Sequence, residues 1–222
     1  MNFYGLGTKL LSGKLRHIAF TLAEVLIVLG IIGIVAQMTI PALVQNVQEQ
    51  QYKAGAKKSY SALSQALLSV ANDNGGDING LAYDVLSYQI ADKMILIDDC
   101  GGDLSQGCHT TAEIKAKYRT LGGNFASGTR FFSNKQYITA DGIFWGNYTN
   151  TYTVDVNGYE KSPNTYGIDV FGFQLVNGRF LPIGAGGTGW TNKATYCNRA
   201  LTSDTSANGL GCTDYTIMGV DY

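Results

Sequence analysis

Charge and histidine are both scarce in this chain, and each shortage excludes a class of function. Charged residues make up 15% of the 222, with 16 Lys and Arg against 17 Asp and Glu, for a net charge of −1. Residues 1–19 hold Lys9, Lys14 and Arg16 and no acid, so without those three positive charges the remainder stands at −4. Nucleic acid finds no cationic face in such a balance and is not expected as a partner. Only two histidines occur, His17 and His109. A Cys–His nucleophilic pair needs a free thiol within reach in space, whereas His109 merely follows Cys108 in the sequence. His109 reads as an ordinary surface residue. No enzyme constellation emerges.

Tight C-x-x-C spacing is also missing, which argues against a zinc site. The four cysteines, Cys100, Cys108, Cys197 and Cys212, form two local pairs in Gly-rich text. Disulfides in an oxidising compartment suit them, with Cys100–Cys108 and Cys197–Cys212 the simplest of three pairings; four unpaired thiols are the alternative. Gly184-Ala185-Gly186-Gly187-Thr188-Gly189 matches G-x-G-x-x-G in form only. A dinucleotide site needs a helix after that motif, and Trp190-Thr191-Asn192 starts none, so a loop is expected.

What the chain does have is a dense apolar block near its start. Residues 20–43 run from Phe20 through Leu43 with one acid, Glu24, and about 20 apolar residues in a helix cross a bilayer core. The basic stretch before it places the N-terminus on the cytoplasmic side and the rest outside. A secretory signal cut after Ala36 fits poorly, because Ile34 occupies a position that wants a small residue. A carboxylate inside an apolar insertion helix costs about 2.5–3.5 kcal/mol at its centre, so Glu24 needs a partner or a place among the headgroups. The nearest cation would be a new α-amine, created by a cut before Phe20 and belonging to a neighbouring copy.

His17-Ile18-Ala19-Phe20-Thr21-Leu22-Ala23-Glu24-Val25-Leu26-Ile27-Val28-Leu29-Gly30-Ile31-Ile32-Gly33-Ile34-Val35-Ala36 closely resembles the N-terminal signature of type IV prepilins and type II secretion pseudopilins. The likeness extends over about residues 17–70. It implies cleavage between Ala19 and Phe20 by a prepilin peptidase on the cytoplasmic face, then methylation of the Phe20 amine. It also implies that Glu24 is the assembly glutamate and that Pro41 bends the helix where it leaves the membrane. The family usually has Gly before the cut, where this chain has Ala19. By the same resemblance the partners are copies of itself, other pilin-like subunits, an inner-membrane assembly platform, and lipid before assembly. The location implied is the bacterial inner membrane, single-pass, and then a surface or periplasmic filament. A minor tip-located adhesin or a competence (DNA-uptake) component is the alternative role.

Beyond Pro41, Tyr52, Ala56, Tyr60, Leu63, Leu67 and Val70 recur every three or four residues, a single helical stripe that needs a sheet to cover it. Asn72-Asp73-Asn74-Gly75-Gly76 should end the helix. The organisation expected is therefore a leader at 1–19, a long helix at 20–72 and a globular head at 73–222. In the head, short helices are expected before residue 120, the later one at 111–119. Strands are expected at 136–140, 143–148, 152–156, 169–176 and 179–182. Asp141-Gly142 and Asn177-Gly178 supply hairpin turns. The fold class is α+β, pilin-like, with the long helix on an antiparallel sheet of four or five strands.

The stretch from Val154 to Asp169 is the most motif-like text in the head. It looks like the Asp-Val-Asn-Gly…Pro-Asn…Gly-x-Asp passage of many pseudopilin-like heads, some of which bind calcium. Asp155, Asn157 and Asp169 would be the ligands. The competing reading is that Asp155 and Asn157 cap a turn through their own backbone.

Overall fold

Thr21, Leu22 and the apolar residues that follow favour a helix, and the chain forms one of 52 residues, α1 (Leu22–Asp73). The computed structural model describes residues 21–101, 108–126, 129–203 and 207–222. The proposed cut between Ala19 and Phe20, and the leader before it, lie outside these residues. Two compact units divide between Gln45 and Asn46, within α1. Pro41 lies inside the helix. At the far end the Asn74 amide donates to the Val70 carbonyl at 2.8 Å, and Gly75 takes the left-handed backbone (φ 78°) that stops a helix.

The second unit is built around the later half of α1. After α2 (Tyr83–Asp92) come β1 (Leu96–Asp99) and α3 (Thr111–Lys117), the latter opened by a capping box between Thr110 and Glu113. β2 (Gln136–Thr139), β3 (Phe144–Tyr148), β4 (Thr151–Asp155), β5 (Val170–Val176) and β6 (Arg179–Pro182) follow. Short helices α4 (Lys193–Tyr196) and α5 (Thr213–Met218) end the chain. The sheet has six strands in the order β1 to β6, every neighbouring pair antiparallel. Four or five were expected, and β1 is the addition. Its Leu-Ile-Asp-Asp text has two acids where strands favour β-branched or aromatic residues, and its pairing with β2 is interrupted by a bulge between Leu96 and Asp98. The other five strands fall within a residue or two of the ranges expected. Asn177 and Gly178 both have positive φ (50° and 73°), as a type I′ hairpin requires.

Both faces of the sheet are covered. On one, Ala56, Leu63, Leu67 and Val70 of α1 pack against Tyr137, Trp145, Tyr152, Val154, Phe171 and Phe173. Tyr60 stacks on Phe173 with centroids 5.5 Å apart and donates its hydroxyl to the Phe180 carbonyl at 3.1 Å. Gly55 lets α1 approach the end of β4, since a Cβ there would lie 2.9 Å from Val156 Cβ. On the other face, Ile114 and Tyr118 around α3, Phe132, Tyr166 and Leu210 enclose Phe144 and Val170. Cys100–Cys108 and Cys197–Cys212 are both disulfide-bonded. Lys135, buried to 3% exposure, pairs with Asp99 and so ties β1 to the approach to β2.

Candidate functional site

Fourteen large apolar side chains between Leu22 and Val44 are 46–79% exposed. Burying one such side chain fully is worth about 1.5–3 kcal/mol, so leaving all of them in water would cost tens of kcal/mol. By length and composition α1 is long and apolar enough to cross a membrane. Glu24 is the only acid in the first turn. Its carboxylate accepts from both the backbone N–H and the hydroxyl of Thr21 at 2.8 Å, while the Thr21 hydroxyl accepts from the Glu24 N–H at 3.2 Å. Thr21 and Glu24 thus form a capping box at the start of the helix. The expectation for Glu24 was a cationic partner or a place among the headgroups; the T-x-x-E spacing is the signal for this further role. Both residues lie after the proposed cut and would survive it. Within the span, the Thr39 hydroxyl returns to the Val35 carbonyl at 3.0 Å, which removes one polar group from the apolar face.

In the head, the 156–169 loop joins β4 to β5, and the two expected calcium carboxylates sit at its ends. Asp155 and Asp169 are fully buried. Asp155 Oδ2 accepts from the Tyr118 hydroxyl at 2.6 Å and Oδ1 from the Gly158 N–H at 3.0 Å. Asp169 Oδ2 accepts from the Asn164 N–H at 2.8 Å and Oδ1 from the Thr165 N–H at 2.7 Å. Asn157 turns its amide onto the carbonyls of Lys161 and Ser162, both at 3.1 Å. All four carboxylate oxygens thus already serve hydrogen-bond donors. Calcium needs six to eight converging oxygens. Here the two carboxylates close a turn, while the buried side-chain oxygens of Asn157 and Asn164 in the same loop meet no donor. Burial and then the Asp169 charge push the Asp155 carboxyl up to about 7, against the pull of its Tyr118 and Gly158 hydrogen bonds. Burial raises Asp169 to about 6, against the opposing Thr165 and Asn164 N–H groups.

His109 is not an ordinary surface residue. It is half-buried, stacked on Tyr159 with centroids 3.4 Å apart and edge-on to Phe144 at 5.2 Å. Burial lowers its pKa, opposed by the charges of Glu113 and Glu160. Cys108 beside it is in a disulfide and so offers no thiol; Asp98, Cys100 and Cys108 cluster, but both sulfurs bond to each other. Gly184–Gly189 is a turn in which the Gly184 N–H meets the Thr188 hydroxyl at 3.1 Å, with no helix following directly. A groove of about 440 Å³ runs between α1 and the β2–β3 hairpin, lined by Ala62, Ala66, Met94, Ile143 and Trp145. Two lysines on its lining are each neutralised, Lys58 by Asp141 at 2.6 Å and Lys93 by Asp73.

No family model, curated protein or solved structure matches the chain.

Proposed function

We propose that this chain is a type IV pilin-like or pseudopilin structural subunit, cut before Phe20 and assembled into a filament through the first half of α1. The observation that carries the reading is the uncovered apolar surface from Leu22 to Val44 on a helix whose later residues form the head core. Lipid can cover that surface before assembly, and equivalent helices of other copies can cover it afterwards. A single carboxylate at the start of the helix gives copies a reason to prefer one stagger. In the monomer Thr21 partly satisfies Glu24; in the filament the Phe20 amine of a neighbour adds the opposite charge. The head lies outside the cytoplasm, a placement supported by the basic residues Lys9, Lys14 and Arg16 and by two disulfides. The chain has no catalytic role in this scheme.

N-terminal mass spectrometry of the protein from its native membrane is the direct test. A mature end at methylated Phe20 is expected; an intact Met1 or a cut after Ala36 would overturn the processing route. Glu24→Leu should leave the protein cleaved, in the membrane and unassembled. Filaments at wild-type levels from that variant would sink the stagger role.

A further inference from the structure

The two outer strands of the head sheet carry borders of opposite charge. β1 and β6 lie five strand spacings apart, roughly 24 Å at about 4.8 Å each. α2 runs on into β1 through residues 93–95, and its Tyr88 ring faces the Lys135 ammonium at 4.4 Å. Along this border Asp84, Asp92 and Asp98 are exposed and meet no cation among the described residues. The two lysines beside them are already engaged, Lys93 by Asp73 and Lys135 by Asp99. Tyr83, Val85, Ile95 and Ile97 add apolar surface, 44–80% exposed.

At the other border α5 packs on β5 and β6, and Lys57, Lys193 and Arg199 gather around it. The Lys57 ammonium lies beside Gly219, where a Cβ would sit 3.8 Å from it. Lys193 Nζ stands 4.5 Å over the Tyr215 ring, and the Arg199 guanidinium 5.9 Å from the Tyr222 ring. None of the three meets a carboxylate among the described residues. Of the acids nearby, Asp221 pairs with Lys53 at 3.4 Å and Asp214 is half-buried. Met218 and Val220 are 59% and 50% exposed. We propose that the α2–β1 border of one head docks on the α5 border of a second copy, apolar side chains together and aspartates against Lys57, Lys193 and Arg199. The occupant is a second copy because this chain supplies both halves, each with unpaired charge around exposed apolar side chains. Two like borders repel, so the contact has one sense. A contact between unlike patches need not close on itself and can repeat from copy to copy, as a filament requires. The inference rests on the reading that copies assemble, and it names where their heads meet.

A zero-length carbodiimide joins a carboxylate to an amine only where the two touch, and so reads the contact directly. The full chain, half of it ¹⁵N-labelled, is reconstituted densely in phosphatidylcholine vesicles, coupled and digested. Cross-linked peptides that carry both isotopes then report contacts between copies alone. Mixed cross-links from Asp84, Asp92 or Asp98 to Lys57 or Lys193 are expected. Their yield should fall several-fold between about 0.1 M and about 1 M salt, as the screening length shrinks from about 10 Å to about 3 Å. Reversing one border, with Lys193→Glu and Arg199→Glu or with Asp84→Lys and Asp98→Lys, should cut the yield about ten-fold, and reversing both in one chain should restore it. Mixed cross-links that join other surfaces, a yield indifferent to salt, or no rescue by the double reversal overturns the docking. So does binding to phosphatidylglycerol vesicles that the Lys193→Glu, Arg199→Glu chain loses, with no cross-link between borders, since the cationic border would then be a lipid seat. If a reversed chain does not fold, the salt series on the native chain decides. Copies with the methylated Phe20 end that give no border cross-link sink this contact alone. Border cross-links in a chain never cut before Phe20 sustain it and sink the processing route instead.

Discussion

From Leu22 to Val44 the side chains of α1 are apolar on nearly every side, whereas from Tyr52 to Val70 the apolar ones keep to a stripe. The later half buries Ala56, Leu63, Leu67 and Val70 against the sheet and turns Lys57, Lys58 and Gln65 outward. The earlier half buries no large side chain at all. A helix that is hydrophobic all round finds its partner in lipid or in other helices, and a striped one finds it in its own domain. One helix therefore carries two kinds of surface, one that its own domain covers and one that it does not.

Paired substitutions can break that contrast. Leu63→Ala should cost the folded head about 2–5 kcal/mol, while Ile31→Ala should leave unfolding of the head unchanged; denaturant titration in micelles reads both. If Ile31→Ala destabilises the head as much, the two halves are not separable. Gly55→Ala comes next, at about 1–3 kcal/mol, because its Cβ meets Val156 in the sheet layer. Gly30→Ala and Gly33→Ala, with nothing within 4 Å of a new Cβ, should leave head stability as it was. Tyr60→Phe keeps the ring on Phe173 and deletes only the bond to the Phe180 carbonyl, for about 0.5–1.5 kcal/mol. The smallest effect is at His109. Its folded pKa is lowered, so its contribution is present above the unfolded value and lost as pH falls through the folded one. As pH falls below about 6.5, His109→Gln should therefore shift the melting-temperature difference from the native chain slightly in the variant's favour.

Much of this layout was legible because period and punctuation carried it. The stripe from Tyr52 to Val70, the Gly75 stop and the Asn177-Gly178 turn each have a direct physical reading. The Cys100–Cys108 and Cys197–Cys212 pairs also follow the simplest reading of their spacing. β1 was missed because acids at Asp98 and Asp99 conceal a strand at the sheet edge. The second covering layer was missed too, since Tyr118, Phe132 and Tyr166 come from separate loops with no shared period. At the loop between β4 and β5, spacing picks out Asp155, Asn157 and Asp169, but spacing alone cannot say what donors will meet a carboxylate. Tyr118 lies 37 positions before Asp155. Only the fold puts its hydroxyl there.

The acids of β1 have a use that concerns crowding rather than stability. In an assembly of the kind proposed, copies held side by side would expose their sheet borders to one another, and a bare strand border invites amyloid-like stacking. Here an incoming strand would meet a bulge and the exposed carboxylate of Asp98 before it could zip up along Ile97. An irregular, negatively charged border disfavours backbone pairing of one such sheet edge with another.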